Sequence, residues 1–334
     1  MIIRPAVIAL LAGSGIVSFM LLYSAFYGLR IVRTWNMASG SEHQLAMERK
    51  TYLLSTIMAY VLSFQLLSFF LFIFTVDDMH ALFFGAMCAA GTLNVNSYGY
   101  PAILLKVLNF VIAGVWLILN YADNRAVDYP LIRKKYLLLL VLTPLVLLET
   151  IVQGAYFIGL RADVITSCCG SLFNPEAESV TADIAALPRR QMQFAFFASA
   201  ALAVACGIYC MLKTRVSWSW YLFSFLNTVS SVVSFLSLVS FISLYFYELP
   251  THHCPFCILQ KEYWYSGYVL YLALLGGATA GLGVGALTPF RNVGSLSSVI
   301  PAVQNRLVFV AVACSIIFTS TSAVQMVISH LILE

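Results

Sequence analysis

The chain has 334 residues, of which 61% are hydrophobic and only 10% charged, with a formal net charge of +4; its mean hydropathy is +0.90. A soluble domain carries about 25% charged residues, so this composition excludes a soluble globular protein, and the sequence is not disordered, collagen-like or coiled-coil in character. No polar stretch exceeds roughly thirty residues, too short to bury a core of its own, which leaves no room for a hidden soluble domain and argues against a nucleic-acid partner.

The apolar residues come in long unbroken runs, which points to an all-α, polytopic membrane helix bundle rather than an outer-membrane barrel. A spanning helix needs about twenty apolar residues, and eight runs qualify: roughly 7–30, 51–75, 101–121, 136–160, 191–212, 218–246, 265–287 and 307–332. The first is longer than a secretory signal core and lacks a small-x-small cleavage pattern, so it reads as a span. A shorter run within 79–93 is too short to cross and reads as an interfacial or re-entrant segment. The whole chain, 1–334, then forms one integral membrane domain.

Lysine and arginine set the orientation. Loops after the first, third, fifth and seventh spans carry Arg30, Arg33, Arg49, Lys50, Arg125, Arg133, Lys134, Lys135, Lys213, Arg215, Arg291 and Arg306. The other side has Arg4, Arg161, Arg189, Arg190 and Lys261, with Lys106 just inside a helix. The richer side is expected to be cytoplasmic, which places both termini and the loops 76–100, 161–190 and 247–264 outside. A bacterial-type cytoplasmic (inner) membrane fits this reading.

That orientation sorts the eight cysteines. Cys88, Cys168, Cys169, Cys254 and Cys257 fall in the three extracytoplasmic loops, on the side where disulfides form and persist. Cys206, Cys210 and Cys314 fall within helices, where cysteine commonly packs as a small apolar residue. The three cysteine-bearing hairpins show no evident similarity in sequence, and no repeat is claimed from them.

Cys254-Pro255-Phe256-Cys257 is the most specific motif. Two intervening residues allow a small, readily opened disulfide ring, and such thiols are often acidified by a helix N-terminus or nearby cations. The seventh span is expected to begin just after the motif and to point its positive end at the sulfurs. The same spacing also serves as half a zinc site, which His252 and His253 have the chemistry to complete. The vicinal pair Cys168-Cys169 is too close for an unstrained mutual disulfide; it suits pairing with another cysteine or binding of a soft metal. An odd number of outer cysteines leaves at least one free, metal-bound or paired to a partner.

Within the spans, Glu149 lies mid-helix with Gln153 one turn further out, and Lys106 sits near the outer end of the third span. An ionisable group at that depth is a functional candidate: a buried Glu149–Lys106 pair and a proton relay through Glu149 are both open. Tyr263, Trp264, Tyr265, Tyr268 and Tyr271 crowd the start of the seventh span, as in an interfacial aromatic belt or a flat site for a quinone ring. The histidines offer no facing pair for a b-type haem, and no CxxCH appears.

The stretch Cys254-Pro-Phe-Cys257-Ile-Leu-Gln260-Lys261, leading into an apolar helix, resembles the active-site segment of the DsbB family of thiol–quinone oxidoreductases, to which the vitamin K epoxide reductases are functionally related. The resemblance covers about ten to fifteen of the 334 residues. It implies catalytic cysteines that exchange with an extracytoplasmic thiol-containing protein and a quinone (ubiquinone or menaquinone) as electron acceptor. Gln260 and Lys261 occupy the family's polar–basic quinone-binding position, where the family has arginine as the basic member; Tyr265 and Tyr268 lie nearby. The chain departs from the family in having eight spans rather than four, and in its vicinal Cys168-Cys169.

The sequence thus yields one leading expectation, a membrane thiol–disulfide oxidoreductase using Cys254, Cys257, Cys168, Cys169 and Cys88, with Glu149 handling protons. Two others stand beside it: soft-metal (copper, mercury or zinc) binding or transport through Cys168, Cys169, His252, His253, Cys254 and Cys257, and a non-catalytic subunit of a larger membrane complex with structural disulfides.

Overall fold

Polar caps and prolines set where the apolar runs begin as helices. In a computed structural model, which describes residues 3–35, 41–126, 128–166, 180–212 and 217–331, Pro5 opens α1 (Pro5–Thr34), the position where its missing N–H costs nothing. Ser41 caps α2 (Glu42–Asp78), its hydroxyl accepting the Gln44 N–H at 3.3 Å. That cap carries the second helix well before residue 51, because the polar stretch 42–50 continues it outside the apolar run. A short helix α3 (Ala89–Leu93) precedes α4 (Gly99–Asp123) and α5 (Ile132–Ile158). The short α6 (Val180–Ala185) leads into α7 (Arg189–Leu212) and α8 (Ser217–Ser237). A π-helical turn, Leu238–Ile242, joins α8 to α9 (Ser243–Tyr247) as one continuous rod; α10 (Ser266–Leu287) and α11 (Val299–Ile328) follow. The last helix starts earlier than its apolar run because Val299-Ile300-Pro301 already adopts a helical first turn.

Among the described residues, eight helical rods, Pro5–Thr34, Gln44–Leu82, Gly99–Asp123, Ile132–Ile158, Arg189–Leu212, Ser217–Tyr247, Ser266–Phe290 and Val299–Ile328, are long and apolar enough to cross a membrane. The described residues contain no strand. The segment between α2 and α4 does not cross: it is a 3-10 turn at His80–Leu82, a bend, and the five-residue α3.

The rods pack as two groups of four with the same order. In the first, α1 packs on α2 and α5, and α4 packs on α2 and α5. In the second, α8 packs on α7 and α10, and α11 packs on α10 and α7. Contact between α4 and α10, each the third rod of its group, joins the halves. The two backbones approach closely there: a Cβ added at Gly114 would lie 2.3 Å from the Thr279 methyl. Small residues allow such approach between helices that lipid does not push together.

Polar side chains tie the first group internally. Lys106 and Glu149, both buried, form an ion pair at 2.7 Å. The Glu149 carboxylate also accepts from Gln65 (2.9 and 2.8 Å) and Asn109 (2.6 Å). Gln153 donates to the Leu10 carbonyl and the Ser14 hydroxyl, each at 3.2 Å, holding α5 to α1. Nearer the opposite end, Lys135 pairs with Asp123 at 2.7 Å, and Asp123 accepts the Leu131 N–H at 2.8 Å. Of the three intramembrane cysteines, Cys210 is fully buried and bonds the Ser219 carbonyl, while Cys206 and Cys314 are half-buried. This is the packing role expected of them.

Candidate functional site: a three-thiol cluster

The loop after the second rod of each group supplies the site. In the first half, Asp77 at the end of α2 accepts the Ala89 N–H at 3.0 Å and fixes the start of α3. Cys88 is the residue just before that helix, with its carbonyl accepting from Gly91 (3.1 Å) and Thr92 (3.3 Å). In the second half, the Tyr247 hydroxyl donates to the Cys254 carbonyl at 2.6 Å and accepts the Ile258 N–H at 3.0 Å. Tyr271 donates to the Pro255 carbonyl at 2.8 Å. Two tyrosine hydroxyls thus hold the Cys-Pro-Phe-Cys turn.

These two loops meet. Cys88 Sγ lies 3.5 Å from Cys254 Sγ, and the sulfurs of Cys88, Cys254 and Cys257 all lie within 4.8 Å of one another. Cys88 and Cys254 are fully buried and Cys257 is 6% exposed. His252 Nε2 stands 3.4 Å from Cys257 Sγ, with its ring edge-on to Tyr247. Burial lowers the His252 pKa below 6.5, partly offset by the nearby Cys88. A neutral imidazole beside a thiol can accept its proton. His253 turns away: Nδ1 bonds the Val239 carbonyl at 3.0 Å, in the π-helical turn.

The loops also share a pattern that sequence reading overlooked. Cys88-x-x-Gly91-x-Leu93-Asn94 stands opposite Cys254-x-x-Cys257-x-Leu259-Gln260. One backbone bond is common to both: Asn94 N–H bonds the Gly91 carbonyl at 3.2 Å, beside its 3.1 Å bond to Ala90, and Gln260 N–H bonds the Cys257 carbonyl at 3.1 Å. Each loop is followed by a Gly-Tyr pair at the head of the next rod, Gly99-Tyr100 and Gly267-Tyr268. Both glycines press on the preceding turn, where an added Cβ would lie 2.1 Å from the Leu93 carbonyl oxygen or 2.9 Å from the Ile258 side chain.

Other expected site residues are placed as follows. Gln260 donates to the Met87 carbonyl at 2.7 Å, binding the second loop to the residue before Cys88. The Lys261 side chain is 77% exposed and faces Glu262 at 3.9 Å. Tyr265 is exposed, Tyr268 is half-buried, and their rings stand 6.3 Å apart. The seventh span, expected over roughly 265–287 just after the CxxC motif, is the helix Ser266–Leu287. Between the motif and α10, Trp264 and Tyr265 adopt left-handed backbone (φ 56° and 54°). Cys168 and Cys169 lie outside the described residues. Thr166, just before that gap, bonds the Phe84 and Gly91 backbone at 3.0 and 2.8 Å.

Residues near both ends of the chain reach the cysteine end of the bundle. Arg4 pairs with Asp78 at 2.7 Å, and the His330 N–H bonds Glu248 at 3.0 Å. Asp78 is thus paired, and Asp77 is part of the Cys88 turn. Tyr247 and Asp77 carry structural duties at the site that no motif announced. Comparison with known proteins found no matching family model, no matching curated protein and no matching solved structure.

Proposed function

We propose that the chain is a membrane thiol–disulfide oxidoreductase that moves electrons between extracytoplasmic thiols and a membrane quinone. The observation that carries this reading is the 3.5 Å approach of Cys88 Sγ to Cys254 Sγ, with Cys257 in the same cluster. One sulfur, Cys254, has two neighbours to bond with.

Disulfide exchange proceeds by attack of a thiolate on a disulfide sulfur. Starting from a Cys254–Cys257 disulfide, the Cys88 thiolate attacks Cys254 Sγ. The Cys88–Cys254 bond forms, the Cys254–Cys257 bond breaks, and Cys257 leaves as a thiolate. No electrons are gained or lost in that step. Cys257 is the least covered of the three and has His252 as proton acceptor, so it is the end that meets a thiol-containing partner protein. Oxidation of two thiols to a disulfide releases two electrons and two protons, which together reduce one quinone to quinol.

Exposed Tyr265 and half-buried Tyr268, close in sequence to Gln260 and Lys261, support a quinone approach at the outer interface. Because the Gln260 amide already holds Met87, its first duty is positioning. Glu149 serves proton movement in this reading. Glu149, Gln153 and Tyr156 share one face of α5, and the Tyr156 hydroxyl donates to the Thr92 carbonyl, four residues past Cys88, at 3.1 Å. Gln153 Oε1 and Thr92 Oγ1 have no protein partner along that line. The lysine and arginine bias supports an extracytoplasmic site and extracytoplasmic termini, in a cytoplasmic-type membrane.

The test is a redox map of Cys88, Cys254 and Cys257 in native membranes, by differential alkylation and mass spectrometry, with the quinone pool oxidised or reduced. The reading expects disulfide population among these three to follow the pool. An alkylation pattern indifferent to the quinone contradicts it.

A further inference from the structure

Beyond disulfide exchange, we infer that the reduced cluster of Cys88, Cys254 and Cys257 is a binding site for a thiophilic d10 cation of the Cu(I) or Zn(II) type, coordinated by three sulfurs contributed from both halves of the molecule. The inference needs only reduced thiols and holds whether or not they cycle with quinone.

Geometry is the first support. Thiolate sulfurs bond such ions at about 2.3 Å, so three of them around one ion stand about 4 Å apart. The three sulfurs here lie within 4.8 Å of one another, the Cys88–Cys254 edge being 3.5 Å. Little movement is needed to seat an ion at their centre.

The donor set is the second support. Three sulfurs converge without a carboxylate among them. Hard cations such as Ca²⁺ and Mg²⁺ take oxygen ligands, whereas thiolates select Cu(I) and Zn(II). The fourth donor separates these two. His252 Nε2 stands 3.4 Å from Cys257 Sγ but outside the group of donors that lie within 4.8 Å of one another, so a tetrahedral Cys₃His set for Zn(II) requires its ring to move toward the other two sulfurs. A three-coordinate, all-sulfur site without it suits Cu(I).

Preorganisation is the third. Cys88 is held through the Ala89–Asp77 and Met87–Gln260 bonds, and Cys254 through Tyr247. A chance encounter of cysteine side chains would lack such fixed backbones on both sides. Binding releases the protons of the coordinating thiols to solvent. A bound cation also occupies the sulfur lone pairs that the Cys88–Cys254 bond requires, so the cation-bound and disulfide states exclude each other.

The test uses the full-length, reduced protein in lipid nanodiscs, anaerobically and without quinone. One arm titrates Cu(I) against a competing chelator and the other Zn(II). The expected result is one ion per chain in at least one arm, with proton release and an X-ray absorption spectrum showing three sulfur neighbours at about 2.3 Å. Even ligand-supporting residues change metal affinity 10–100-fold, so C88S is expected to weaken binding at least tenfold. H252N weakens the Zn(II) arm and spares Cu(I). Should C88S fold poorly, the wild-type chain still decides: bound ion must protect Cys88, Cys254 and Cys257 together from alkylation. Binding that survives C88S, protection of the CxxC pair without Cys88, binding lost in C168S/C169S instead, or no stoichiometric ion in either arm overturns the inference. Since quinone is absent here, this result and the quinone-dependent redox map can fail independently.

Discussion

Gln260 donates a 2.7 Å hydrogen bond to the carbonyl of Met87, 173 residues earlier and one residue before Cys88. The bond spans the two halves of the molecule beside the sulfurs that meet there. It makes Gln260 a positioning residue for Cys88 rather than a bystander of the CxxC motif. Replacing Gln260 with alanine removes its bond to Met87, worth about 1 kcal/mol, and its side-chain contact with Asp77; the fold should survive a loss of that size. The Cys88–Cys254 disulfide should form more slowly under mild oxidant, while Cys254–Cys257 should form at an unchanged rate. Quantitative mass spectrometry of the two disulfides over time checks this.

Tyr247 holds two backbone groups of the CxxC turn with one hydroxyl. Tyr247→Phe keeps the ring and its packing on His252 and Tyr263. It leaves the Cys254 carbonyl and Ile258 N–H unsatisfied in a buried place, at a cost of about 1–3 kcal/mol. The turn should loosen, and Cys254 should alkylate faster in native membranes. Equal alkylation rates for variant and wild type would show that Tyr271 alone suffices to hold the turn.

The Lys106–Glu149 pair separates structure from proton transfer. Removing one partner of a buried pair typically costs about 3–5 kcal/mol, because the other charge is left uncompensated. Glu149→Gln should therefore lower thermal stability sharply, and Lys106→Met should do the same. The double variant should recover much of that loss. If Glu149 also moves protons, the double variant will be stable yet slow in quinone-linked thiol oxidation. Recovery of both stability and rate would make the pair purely architectural.

Burial lowers the pKa of both His252 and His253 below the ordinary 6.5. Below 6.5 the unfolded chain then binds more protons at these positions than the folded one. Stability contributed by the neutral imidazoles is present above that pH and declines as the pH falls toward and through the lowered folded values. Thermal unfolding in nanodiscs should shift downward on going from pH 7 to pH 5, and His253→Gln should reduce that shift. The acid limb of Cys257 reactivity should lie below pH 6.5 and should vanish in His252→Asn.

Much of the fold was legible because membrane helices announce themselves through length and hydropathy. All eight runs became rods, and the turns that carry Cys88 and Cys254–Cys257 share one end. What the runs did not carry was packing order. Nothing in the hydropathy of 101–121 or 265–287 says that α4 and α10 touch, yet that contact brings Cys88 to Cys254. The start of the seventh span was legible to within a residue, at Ser266 against an expected 265, but hydropathy cannot see the left-handed backbone at Trp264 and Tyr265 that precedes it. The Cys-x-x-Gly/Cys-x-Leu-Asn/Gln pattern shared by the two loops was present in the sequence, but its glycine conceals the correspondence. Only the matching turn bonds at Asn94 and Gln260 expose it. Tyr247 gave no signal at all, since its role depends on a loop folding back over its own hydroxyl.

If thiols from the two halves form one exchange site, a covalent link between the halves must be obtainable. A protease site placed between residues 170 and 178 allows the folded chain to be cut after mild oxidation and examined without reductant. In Cys257→Ser, where Cys254 has lost its near neighbour in sequence, the account predicts that the two fragments stay joined through Cys88–Cys254 and separate on reduction. Cys88→Ser and Cys254→Ser should release them at once. Separation of the fragments in oxidised Cys257→Ser, with Cys88 and Cys254 still free to alkylate, would contradict the account.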